Sequence, residues 1–164
     1  MNKTAVLRQT LKERFYPFAE ERGFLRGKAS SLFTPFRRTR GQEVHVFDIQ
    51  WDKYGAPRFV INFGEAPSTG VEISGELVRP DHLETYHCSR RGRLQRKRGG
   101  SMGTWFQMRK PFIEAFTSLR WDYRAEEVVA QVITSFHELE TWWERKHEGP
   151  HVHILHTDGH HSAE

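Results

Sequence analysis

The chain has one cysteine, Cys88, in 164 residues. No intramolecular disulfide can form, and a secreted disulfide scaffold is excluded. Long apolar runs are missing too. No stretch approaches the roughly 18 apolar residues of a membrane helix. The N-terminal MNKTAVLRQTLKERF has no apolar segment of the kind a signal peptide carries. A cytoplasmic protein with no membrane partner is the expectation. Catalytic signatures are also missing. His137-Glu138 is not followed by the second histidine of a zinc protease, and there is no Gly-x-x-x-x-Gly-Lys phosphate loop. Cys88 has Leu94 six residues on, where a cysteine phosphatase would place arginine. Its arginine neighbours would still favour a partly ionised, reactive thiol. No cofactor and no structural metal site are expected.

Hydrophobic residues are scarce at 37%, but 12 Phe, 5 Trp and 4 Tyr compensate by area. A disordered chain would not carry so many. The length suits one folded domain, placed at 1–147. The remainder, 148–164, is polar and rich in His and Gly, and reads as a flexible tail. Seven of the ten histidines lie from His137 onward, so the tail could bind a metal adventitiously without a fixed ligand set.

Periodicity gives the elements. Leu7, Leu11, Phe15 and Phe18 make a helical stripe within Thr4–Glu21, with Pro17 expected to kink or split it. In Glu43–Trp51, His45, Phe47, Ile49 and Trp51 alternate with Val44, Val46, Asp48 and Gln50. Arg58–Phe63 returns beside it, so 43–63 forms a hairpin. Leu32–Arg38 is a weaker strand, placed near an edge by Pro35. Short strands are expected near Val71–Leu77, Tyr86–Leu94 and Thr104–Arg109. Arg124–Lys146 carries a long core-facing stripe. The fold class is therefore α+β, an antiparallel sheet flanked by an N-terminal helix and a long C-terminal helix.

The strongest functional signal is local charge. Arg90, Arg91, Arg93, Arg96, Lys97 and Arg98 crowd a short stretch with no acid. Of the net +4, these six leave −2 for the rest. Such clustering points to an anionic partner, either a protein or a nucleic acid. The plainer reading is a solvated loop spanning 89–103. A second cluster is the polar sheet face, where Asp48, Gln50 and Asn62 share a side and Arg37 or Arg38 could reach it. That face is either a candidate groove or an ordinary wet surface. Trp51, Tyr54, Tyr86, Trp105 and Phe106 could stack bases, although aromatics at strand spacing usually fill a core.

Several segments together resemble the bacterial family known as domain of unknown function 4304. They are the helix ending Arg22-Gly23-Phe24, the strand at Phe36-Arg37-Arg38, Asp48-Ile49-Gln50-Trp51, Phe59-Val60-Ile61-Asn62-Phe63-Gly64, Arg91-Gly92-Arg93-Leu94 and the Val128–Trp143 helix. The resemblance implies an α+β fold without an established activity. Some relatives look like immunity proteins, which act by binding. An immunity protein facing a basic nuclease would be acidic, so this basic chain would face another kind of toxin. The leading expectation is a binding protein, immunity-like, that holds an anionic partner. The alternatives are a nucleic-acid-binding module and an enzyme with a site on the polar sheet face.

Overall fold

The computed structural model describes residues 2–156. The chain begins with α1 (Lys3–Thr10), a π-helical turn at Leu11–Phe15 and α2 (Tyr16–Glu21). Pro17 explains the break: it has no N–H for the carbonyl of Glu13 and its ring would collide there, so one wider turn precedes it. Gly23 (φ 87°) ends α2. Its N–H reaches Glu20 O, and that of Phe24 reaches Ala19 O, the paired bonds of a Schellman cap.

The strands follow as β1 (Leu25–Arg26), β2 (Phe33–Arg40), β3 (Glu43–Trp51) and β4 (Arg58–Pro67). A small separate hairpin comes next, β5 (Val71–Ile73) and β6 (Glu76–Val78), and two single helical turns then lead into β7 (Arg90–Leu94). Past a loop lie β8 (Phe106–Gln107) and the helices α3 (Phe112–Ser118), α4 (Ala125–Ser135) and α5 (His137–Arg145), and β9 (Val152–Leu155) closes the described chain. The main sheet runs β1-β2-β3-β4-β7-β9, with β8 also on β4, and every pairing in it is antiparallel. Pro35 sits where β2 is covered only briefly, since β1 pairs with Phe36 and Arg37 alone.

One sheet face carries the core. Phe47 meets Phe15, Phe24, Phe36 and Phe136 with ring centroids 4.8–6.0 Å apart. α1, the π-helical turn, α2, α4 and α5 cover this face through Leu7, Leu11, Ala19, Val128, Val129, Val132, Leu139 and Trp143. The expected α+β class and both flanking helices are present, the C-terminal one interrupted at Phe136. A smaller apolar cluster of Val44, Val46, Ala66, Leu83 and Cys88 lies on the opposite face, beneath the connection between β4 and β7.

Two expectations change. The stretch after Glu148 is not all tail: Val152–Leu155 pairs with β7 along Arg91–Leu94, and Val152 is fully buried. Its Val-His-Ile-Leu alternation is too short to stand out against the surrounding histidines. The rest of the assigned tail, 157–164, lies outside the described residues. The loop reading of 89–103 also gives way in its first part, where the short strand expected near Tyr86–Leu94 is present as Arg90–Leu94, an inner strand between β4 and β9. Gly92 makes that possible, since a Cβ there would meet His153 O at 2.7 Å and the Phe63 ring at 2.8 Å.

Candidate functional site

Register builds a polar row across the second sheet face. Pro35 lies opposite Asp48, Asp48 opposite Asn62, Asn62 opposite Arg93, and Arg93 opposite His153. The neighbouring row is Arg37, Val46, Gly64, Arg91 and Leu155. Gly64 governs what covers this face. A Cβ at that position would stand 2.7 Å from Cys88 Cβ and 2.9 Å from its Sγ. Without one, Cys88 settles onto the sheet and brings the turn at Thr85–His87 above Asp48.

The polar groups then link into a chain. Arg93 Nε donates to Asn62 Oδ1 at 3.1 Å. Asn62 Nδ2 donates to Asp48 Oδ1 at 2.8 Å and to Gln50 Oε1 at 2.9 Å. Thr85 Oγ1 donates to Asp48 Oδ2 at 2.8 Å. Burial pushes the Asp48 carboxyl upward, outweighing these hydrogen bonds and the Arg93 charge, and Glu84 adds to the rise. Burial pushes Arg93 downward, offset in part by Asp48. A cavity of about 420 Å³ opens above the network, lined among others by Phe33, Asp48, Asn62, Glu84, Tyr86 and Arg93, with Arg91 and Leu155 at its β9 side. Arg91 Nη1 reaches Tyr86 O at 3.4 Å, while its buried Nε has no partner. Arg93 also places its guanidinium 5.9 Å from the centre of the Trp105 ring.

Asp48, Gln50 and Asn62 therefore meet as expected, but the two candidate arginines do not join them. Arg37 shares their face yet donates to Leu83 O and lies 4.0 Å from Glu84, fastening the covering segment outside the cavity. Arg38 belongs to the helix face. It forks onto Glu140, donates to Arg22 O and His45 Nδ1, both at 3.1 Å, and stacks on Phe24. Counting in twos from the core residue Phe36 puts Arg38 on that side. The basic cluster is dispersed as well. Arg90 lies 3.5 Å from Glu65, Arg96 Nη2 donates to Gly103 O at 2.7 Å, and Arg98 Nε donates to Val152 O at 3.0 Å. Lys97 is exposed. Only Arg91 and Arg93 reach the cavity.

The cysteine expectation is overturned. Cys88 is buried, and burial together with the Glu65 charge drives its thiol up to about 12, against a smaller opposing pull from Arg91. Of the aromatics named for base stacking, Trp51, Trp105 and Phe106 are buried, and Tyr54 and Tyr86 are exposed. His151 Nδ1 contacts the buried Glu138 carboxylate at 2.5 Å. No group of three potential metal ligands occurs among the described residues. Nor is any helix among them long and apolar enough to cross a membrane. Glu84, Thr85 and Leu155 have no signal in the sequence, and Tyr86 is singled out there only for base stacking; the covering turn places the first two and Tyr86, and the register of β7 with β9 places Leu155. A family model, described as Domain of unknown function (DUF4304), matches residues 15–146. No curated protein and no solved structure matches the chain significantly.

Proposed function

Because this chain belongs to the DUF4304 family, whose description assigns no activity, we propose its function from the cavity alone: it is a binding protein that takes an anionic group between Arg91 and Arg93. The observation that carries this reading is the pair of guanidiniums, two residues apart on one strand, entering one cavity with donors to spare. Among the described residues, Arg93 uses only its Nε, and the buried Nε of Arg91 is unpaired. A buried donor without a partner is costly, and a carboxylate or phosphate would satisfy it with a charge-assisted bond. The volume falls in the range of small-ligand pockets. Phe33, Tyr86 and Leu155 add apolar wall, which favours an anion attached to an aromatic or aliphatic body.

Binding is favoured over chemistry because both oxygens of Asp48 already accept hydrogen bonds and the Cys88 thiol stays protonated. A nucleic-acid surface is not favoured, since the six cations divide among Glu65, backbone carbonyls, the cavity and solvent instead of forming one set of free charges. Thermal denaturation should be followed with millimolar acetate, benzoate, phenyl phosphate and neutral benzamide. The aromatic anions should raise the melting temperature and benzamide should not. The increase should vanish in Arg91→Gln/Arg93→Gln. Stabilisation by none of the anions, or equal stabilisation of the double variant, overturns the reading.

A further inference from the structure

The charged side chains that line the cavity above the sheet are sorted by sign. Arg91 and Arg93 enter from β7, whereas Asp48 comes from β3 and Glu84 from the start of the covering turn. Asn62 of β4 keeps the two signs apart: it accepts from Arg93 Nε on one side and donates to Asp48 Oδ1 on the other. β3 and β7 flank β4, so their backbones lie two strand spacings apart, roughly 10 Å. Among the described residues, neither guanidinium forms an ion pair with either carboxylate, and Glu84 pairs only with Arg37, outside the cavity, at 4.0 Å.

The acidic side has capacity to spare, as the basic side does. Glu84 accepts the backbone N–H of His87, which leaves most of its lone pairs free, and its side chain is 47% exposed. Asp48 has both oxygens engaged, by Asn62 and by Thr85. Burial and, beyond it, the Glu84 charge raise the proton affinity of Asp48 against a smaller pull from Arg93, so the two carboxylates lie close enough to repel. Two aromatics that the core does not use stand at the same cavity: Phe33 is 41% exposed and Tyr86 64%. A ligand of one sign would answer the guanidiniums and leave Glu84 facing it without a counter-charge.

We propose that the cavity takes a dipolar ligand, with an anionic group at Arg91 and Arg93, an ammonium group at Glu84, and an aromatic body between them against Phe33 and Tyr86. This inference rests on the anion reading above and adds the second charge to it. An ammonium gives charge-assisted donors to the free lone pairs of Glu84 and offsets the field that Glu84 exerts on Asp48. The neighbouring Tyr86 ring offers it a cation–π face. The lining charges, two of each sign, cancel, and a zwitterion leaves that balance intact, so no net charge is taken out of water. The span across β4 selects charges at opposite ends of the ligand. An α-amino acid carries both on one carbon and bridges the cavity poorly; a ring between them bridges it well.

The full chain should be titrated calorimetrically with three probes. 4-(Aminomethyl)benzoate carries a carboxylate and an ammonium at opposite ends of a ring, 4-methylbenzoate lacks the ammonium, and benzylamine lacks the carboxylate. 4-(Aminomethyl)benzoate should bind about tenfold more tightly than 4-methylbenzoate or better, and benzylamine should bind most weakly. In Glu84→Gln the ratio between the two benzoates should fall to about one, with 4-methylbenzoate held as before. The glutamine oxygen still accepts the His87 N–H, so the covering turn is kept. Arg91→Gln/Arg93→Gln should lose both benzoates. Equal affinity for the two benzoates in the native chain, or a ratio that persists in Glu84→Gln, overturns the dipolar ligand and leaves the anion reading standing. Failure of both benzoates to bind the native chain overturns the anion reading itself, and this inference with it.

Discussion

Asp48 shows a carboxylate held at a cost. Its charge is buried and its proton affinity raised, while both oxygens accept hydrogen bonds. Asp48→Asn keeps the shape, and the Thr85 hydroxyl can turn to accept from the new amide. We expect it to stabilise the fold by about 1 kcal/mol at neutral pH, read from urea denaturation, while weakening the orientation of Arg93 and anion binding with it. Loss of stability in that variant would mean the charge is needed by the fold itself. On the other face, Arg38 is almost fully buried against Glu140, Phe24 and Trp143. Removing its partner with Glu140→Ala should cost about 3 kcal/mol, because it leaves a buried guanidinium without its counter-charge. His45, stacked on Trp143 at 4.7 Å, is pushed down to about 3 by burial and by Arg38, Lys146 and Arg40. The unfolded chain takes up that proton near pH 6.5 and the folded chain only near 3. Stability should therefore fall as pH drops through that window, by up to about 1.4 kcal/mol per pH unit, with the slope relieved in His45→Gln.

At the scale of elements, the strands of 43–63 were legible because large apolar residues recur at every second position, Phe47, Ile49 and Trp51 on one strand and Phe59, Ile61 and Phe63 on the other, which leaves one pleat and one register. Pro17 announced the helix break, and the stripe from Val128 to Trp143 announced the closing helices. The site was legible by half. Asp48, Gln50 and Asn62 declared a shared face, but their cationic partners come from β7, which the sequence presents only as a run of arginines. β9 was hidden because four residues carry too short a pattern. α3 was hidden for another reason: its apolar residues face solvent, so they trace no core stripe. The contribution of β9 can be measured. Val152 is fully buried over Leu94 and is backed by Arg98 on its carbonyl. Val152→Ala should cost about 2 kcal/mol of unfolding free energy. Hydrogen exchange at the amides of β7 should rise with it, since β9 shields them from water.

For the molecule as a whole, a strongly basic stretch need not make a basic face. The six cations of 90–98 divide among Glu65, backbone carbonyls, the cavity and solvent. If all six met phosphates together, the logarithm of DNA affinity would fall with the logarithm of salt at a slope near −5; a slope of about −2 or shallower is expected by fluorescence anisotropy instead. The arrangement of β7 has another consequence, during synthesis. β7 is made after its inner neighbour β4, but its outer neighbour is the last strand among the described residues. Until residues 152–155 have been made, β7 is a bare sheet margin of the kind that recruits other unfinished chains into aggregates. Arg90, Arg91 and Arg93 stand along that margin, and their mutual repulsion between nascent copies would act as a gatekeeper until the native strand arrives.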